Sequence, residues 1–201
     1  MTRGFNKEFE HSDALMQAAL NEFVEKGYDK ASLNHILKTA NMSKGSFYYH
    51  FNNKEDLYLN LIDMLIQKKQ LFLVKVMNPS DYSKDIFSIF KTQIRIGMQF
   101  ANEYPDINRF ANSFIKEKGT PIYEKALTRH NFQDNDQMNK LIEASYNKGE
   151  IRQTLPLEFV QSLIGFLFTN IVDVADMSKP DHYESSLNHL IDFLKNGLTD
   201  Q

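Results

Sequence analysis

KASLNHILKTANMSKGSFYYHFNNK, residues 30–54, decides the fold class and points to a function. The window holds Lys30, Lys38, Lys44 and Lys54, with His35 and His50, and contains no Asp or Glu, although the chain carries a formal net charge of -3. Its spacing predicts two short helices around a tight turn. Ser32 caps the first, which sets Leu33, Ile36, Leu37 and Ala40 on one face. Asn41 and Met42 form the turn, where Asn tolerates a left-handed backbone. The second helix, residues 43–51, puts Phe47 and Phe51 on one side of a 100° wheel and Gly45, Ser46 and Tyr49 on the other. This is the layout of a helix-turn-helix that reads double-stranded DNA.

The outward side of that helix has the chemistry a phosphate needs. Lys44 supplies charge in the first turn, beside backbone N–H groups at the positive end of a dipole. Gly45 costs about 0.5–1 kcal/mol against alanine in a helix, so it suits a place where another molecule comes close to the backbone. Phe47 and Phe51 are core residues on this wheel, Tyr49 is a contact, and Tyr48 cannot be buried together with Tyr49. His50 can either meet phosphate or cap its own helix.

Helical signals continue to both ends, and no run alternates as a strand would, so the chain reads as all-α with about nine helices. Ser12 and Gly27 bracket the first, carrying Met16, Ala19, Leu20 and Phe23. Asn53 caps a long fourth helix through Leu57, Leu61 and Leu65 toward Pro79, with Glu55 and Asp56 in its first turn. Further helices are expected over about 81–104, stopped by Pro105; from Ile107 to Gly119; from Thr120-Pro121 to Gly149 with a bend near 131–136; from Pro156 through Val174; and from Tyr183 to Gly197. Residues 1–52 form the helix-turn-helix head and 53–201 a larger helical body.

Composition excludes several functions. With 201 residues, 42% hydrophobic and 24% charged, the chain reads as one ordinary globular protein. Its apolar runs, such as Leu71 to Val74, are far shorter than a membrane helix, and no signal segment opens it, so a cytoplasmic protein with no membrane association is expected. The absence of cysteine removes disulfides, thiol nucleophiles and thiolate metal sites. Residues 1–54 carry seven Lys/Arg and six Asp/Glu, leaving 16 and 20 for the rest, so the acidity belongs to the body.

Phe23-Val-Glu-Lys-Gly-Tyr28, Ser32, Met42-Ser-Lys-Gly-Ser-Phe-Tyr-Tyr-His-Phe51 and Asn53-Lys-Glu-Asp-Leu57, spread over about Leu15 to Leu61, resemble the N-terminal signature of TetR-family bacterial transcriptional regulators. The resemblance implies a homodimer on operator DNA, each subunit a three-helix head on a divergent body that holds an effector pocket and dimerises through its last two long helices. Carried over by position, Ser32, Ser43, Lys44, Gly45, Ser46, Tyr48, Tyr49 and His50 face the operator, and Lys54 reaches phosphate. Asn41 and Ser46 stand where the family often has glycine and threonine.

The body gives less. Phe100, Tyr104, Phe110, Phe114, Tyr123, His130 and Phe168 would suit a mostly apolar small-molecule effector pocket. Phe166, Leu167, Ile171, Leu187, Ile191 and Leu194 give the two terminal helices more apolar surface than one face needs and form the expected dimer seam; Gly165 permits close helix approach, at that seam or equally inside one subunit. A regulator controlled by a protein partner, or by nothing, would have the same head. A helical-bundle metalloenzyme is the remote rival, because the one Glu-x-x-His, Glu8 to His11, lies in the N-terminal arm and no P-loop, His-Glu-x-x-His or Gly-x-Ser-x-Gly is present. No metal, cofactor or catalytic residue is expected.

Overall fold

The computed structural model describes residues 5, 9–130, 136–174 and 180–200. Among these the chain forms eleven α-helices, one 3₁₀ helix and no strand. They are α1 (Ser12–Lys30), α2 (Leu33–Thr39), α3 (Lys44–His50), α4 (Lys54–Val76), α5 (Ile86–Glu103), α6 (Pro105–Ile115), α7 (Pro121–His130), α8 (Asp136–Asn147), α9 (Leu157–Thr169), α10 (Ile171–Val174) and α11 (Pro180–Leu198), with the 3₁₀ helix at Pro79–Ser83. Two expected helices are each divided, which accounts for eleven rather than nine. The segment from Thr120 becomes α7 and α8, and the bend expected near 131–136 lies largely outside the described residues. The helix from Pro156 ends at Thr169, where Asn170 leaves helical geometry (φ -104°, ψ 22°) and its side-chain amide donates to the Phe166 carbonyl.

Local chemistry sets the other boundaries. Ser12 is the first helical residue and not the cap; His11 is the N-cap, in a left-handed conformation (φ 69°), and makes no side-chain capping bond. Gly27 (φ 72°, ψ 169°) breaks the helical path of α1, as expected, and the Glu117 carboxylate accepts the Tyr28 N–H at 2.8 Å just beyond it. Asn41 has the left-handed backbone the turn requires (φ 51°), while the Met42 N–H returns to the Leu37 carbonyl. α5 starts at Ile86 and not near 81, because Asp85 caps it by accepting the Ser88 N–H, and Asp81 is buried in the 3₁₀ helix with Lys84. Gly197 lies inside α11 rather than closing it.

The chain forms two compact units. The first comprises Met1–Phe72 and Phe100–Arg129. In it the three short helices share a core with the start of α4 and with α6 and α7, built on Leu15, Phe23, Ile36, Phe47, Phe51, Leu57, Leu61, Phe110, Ile122 and Ala126. Each large side chain buried this way is worth about 1.5–3 kcal/mol. Tyr58 sits edge-on to Phe23 at 4.7 Å and to Phe110 at 5.4 Å; burial pushes its phenol well above the ordinary range. The second unit comprises Leu73–Gln99 and His130–Gln201, with a core of Ile86, Phe87, Phe90, Ile142, Val160, Ile164, Ile191 and Leu194.

Lys54 joins two elements of the first unit. Its ammonium donates to the carbonyls of Tyr28 (2.7 Å), Asp29 (3.1 Å) and Ala31 (3.1 Å) and lies 4.6 Å from the centre of the Tyr28 ring. The last turn of α1 leaves carbonyls without helical partners, and a cation from the first residue of α4 satisfies them. Lys54→Met should keep the stem of the side chain and lose these bonds, lowering stability by about 1–3 kcal/mol in chemical denaturation. An unchanged midpoint would show that water serves the carbonyls equally well.

Candidate nucleic-acid interface

Phe47 and Phe51 are fully buried, with rings 5.4 Å apart, and this fixes the rotation of α3 about its axis. The same rotation exposes Lys44, Gly45, Ser46, Tyr48 and Tyr49. Tyr49 is 72% exposed and Tyr48 52%, so both tyrosines reach solvent, Tyr49 the further. Ser43 caps α3 by accepting the Ser46 N–H at 3.1 Å. Gly45 has no positive φ, and a Cβ there would meet only the Ser43 hydroxyl at an ordinary 3.8 Å. Neither backbone conformation nor space for a Cβ therefore demands glycine at the middle of the exposed face.

Two of the expected contact residues also make contacts within the first unit. Lys54, placed on phosphate by position, gives its ammonium to three carbonyls of the first unit. His50 is half-buried, with its ring stacked on Phe9 at 3.9 Å and Tyr49 edge-on at 4.9 Å; Phe5 in turn packs on Phe51 at 5.1 Å. The rings of Phe5 and Phe9 thus pack on the end of α3, contacts that the sequence reading did not anticipate. Ser32 caps α2 as expected, accepting the His35 N–H at 3.3 Å.

Beneath α2 is a group the sequence reading missed. Glu22, 6% exposed, accepts the Ser32 N–H at 2.9 Å, and its second oxygen lies 2.7 Å from Nδ1 of His35. Burial pushes its carboxyl up, but the Ser32 N–H, the His35 hydrogen bond and the charges of His35 and Lys26 outweigh that and hold it below the ordinary carboxylate range. The signal was present: Glu22 stands seven residues after Leu15, four after Ala18 and three after Ala19, on the buried face of α1. An acid at such a position needs partners, and the capping serine of α2 supplies one.

The expected effector residues fall into different surroundings. Phe110 is fully buried core against Tyr58. Phe100 packs edge-on to Phe72 at 5.5 Å and beside Tyr104 at 5.0 Å, and Phe114 stacks on Tyr123 at 4.9 Å. These five belong to the first unit, while His130 and Phe168 belong to the second, where Phe168 meets Phe90 at 5.1 Å. The expected dimer seam divides too. Leu187, Ile191 and Leu194 are buried in their own unit's core, Leu167 and Ile171 pack against that core, and Phe166 is 64% exposed. Sequence reading missed Phe159 and Phe193, at 51% and 73% exposed. Both line an open cavity of about 280 Å³ with Leu155, Leu163 and Arg152. A Cβ on Gly165 would meet nothing within 4 Å, so close packing inside the subunit is not its reason.

No helix among the described residues is long and apolar enough to cross a membrane. Residues 15–61 match the family profile described as bacterial regulatory proteins, tetR family. Over 143 residues, 71% of this chain and 73% of the relative, the sequence is 26% identical to the biofilm operon icaADBC HTH-type negative transcriptional regulator IcaR of Staphylococcus aureus. Among solved structures, a TetR family transcriptional regulator from Chloroflexus aurantiacus superposes with a TM-score of 0.65 at 22% identity, covering 98% of this chain and 97% of that one. SmeT in complex with triclosan superposes with a TM-score of 0.71 at 14% identity, covering 96% and 93%. With the helix-turn-helix geometry of α2 and α3, residues 15–61 are thus similar to the DNA-binding segment of the tetR family, and the whole chain is similar in sequence and fold to TetR-type transcriptional regulators.

Proposed function

We propose that the protein is a repressor that binds a roughly palindromic operator as a homodimer and leaves it when a signal reaches its body. The observation that carries the reading is α3: a helix anchored by Phe47 and Phe51 that presents Lys44, Gly45, Ser46 and Tyr49 to solvent, with a glycine its own fold does not need. In a helix-turn-helix the second helix enters the major groove and the first crosses the phosphate backbone. Repression as the sign of control follows the likeness to IcaR, a negative regulator. Lys44→Ala should weaken binding to every duplex and reduce the slope of log affinity against log salt by about 0.9 per lost phosphate contact on each subunit. Tyr49→Ala should weaken the preferred site while leaving thermal stability unchanged, since the ring is largely solvated. Equal affinity of both variants and wild type, by fluorescence anisotropy on one duplex, would remove α3 from the interface.

The dimer is proposed to form on the part of α9 and α11 that exposes Phe159 and Phe193 around the open cavity and Phe166 on α9. Three large aromatic side chains exposed this far are costly in water unless something covers them, and a two-fold interface covers the same patch on both copies. Phe193→Glu should turn a species of twice 23.4 kDa into one of 23.4 kDa in light scattering at micromolar concentration. A persistent dimer with this variant would move the interface elsewhere.

Two readings remain for the signal. Release by an apolar small molecule is supported by the triclosan complex of the similarly folded SmeT. Control by a partner protein, or none, is supported by Phe110, which is packed solid in the core instead of lining a cavity. A thermal-shift screen of apolar aromatic compounds separates them. An effector should raise the melting temperature, and operator DNA should weaken its binding by the factor by which it weakens DNA binding. No stabilising compound would favour the second reading.

A further inference from the structure

We infer that His35 is a phosphate-binding residue whose imidazole is held by buried Glu22, so that DNA binding takes up a proton at this ring. The inference rests on the DNA-binding reading of the head and adds a residue outside the recognition helix. His35 lies on α2, the helix that crosses the backbone in this motif, and its side chain is 63% exposed while the carboxylate beneath it is 6% exposed.

The chemistry follows from counting protons. A carboxylate is acceptor-only, so the 2.7 Å contact requires a hydrogen on Nδ1 of His35. In the neutral ring that leaves Nε2 as an acceptor, which repels a phosphate oxygen. Only the imidazolium donates from both nitrogens at once, from Nδ1 to Glu22 and from Nε2 to phosphate. Bound DNA therefore favours the protonated ring, and by linkage protonation favours bound DNA. Glu22 fixes the ring's orientation and tautomer, and being buried it adds no exposed negative charge to the acid-free surface.

The charged neighbours do not supply the same behaviour. Elements sharing this core carry Glu25 and Lys26 on α1, Lys38 on α2, Lys44 and His50 on α3, and Lys54, Glu55 and Asp56 on α4. Lys26 acts on Glu22, and Lys54 is held by carbonyls of the first unit. Histidine is the side chain that changes charge between pH 5 and 8, and His11 at the start of α1 and His50 on α3 each need their own control.

The experiment measures the affinity of the full-length protein at fixed salt between about pH 6 and pH 8, for a site selected from random DNA and for an unrelated duplex of equal length. Wild-type affinity for both should fall by about tenfold per subunit over this range. His35→Gln, which can still donate to Glu22 but carries no charge, should bind at low pH as weakly as wild type does at high pH and show little pH dependence. His35→Arg should bind tightly throughout, and His11→Gln and His50→Gln should each still lose affinity between pH 6 and pH 8 by the wild-type factor, whatever their affinity at pH 6. Circular dichroism confirms that each variant is folded. A His35→Gln protein with the wild-type profile would overturn the inference and leave the DNA-binding reading intact, whereas a wild type that binds neither duplex at any pH would overturn both. A merely structural Glu22–His35 pair would lower stability without moving the pH profile of binding.

Discussion

The burial of Phe47 and Phe51 against the core of the first unit is the constraint on which the proposed DNA-reading surface depends. A helix of seven residues has little stability of its own, so α3 exists because its two phenylalanines are packed on neighbouring elements. Once they are fixed, the 100° step of the helix leaves Gly45, Ser46 and Tyr49 no choice but to face outward. Replacing either ring by alanine would cost about 3–5 kcal/mol, a large part of the stability of a typical domain. Recognition and stability thus occupy opposite sides of the same two turns.

Around this helix the polar groups serve as fasteners. Lys54 satisfies the carbonyls at the end of α1, Glu22 ties α1 to the start of α2, and the rings of Phe5 and Phe9 pack on Phe51 and His50. Each bond of this kind contributes modestly, but leaving a buried partner unsatisfied costs more than the bond gains. Three such ties hold a set of short helices in one arrangement, so that the spacing of exposed side chains is set by the fold before DNA arrives.

Local features were legible in the sequence. Ser32, Asn41, Asn53, Thr120 and Gly149 act through their own backbone and nearest neighbours, and the structure has each in the expected place. Phe47 and Phe51 were equally readable, because a wheel needs only periodicity. What was not legible depended on partners distant in sequence. Lys54 looked like a free charge because the carbonyls it serves lie more than twenty residues away. Ile191 and Leu194 looked like surplus apolar surface because the core they share, Phe87 and Ile142 included, comes from other helices. Phe193, one step off that stripe, is the exposed residue instead. Asn170 divided an apolar segment through a side-chain bond to the Phe166 carbonyl, which composition alone does not distinguish from a continuous helix.

The central claim is that α3, in the orientation set by its two phenylalanines, reads a specific DNA sequence. Selection from a random duplex pool by the full-length protein at near-physiological salt tests it most directly. The account requires enrichment of an inverted repeat with half-sites about one helical turn apart or more. A pool that stays unenriched after repeated rounds, with the protein folded and dimeric throughout, would contradict it.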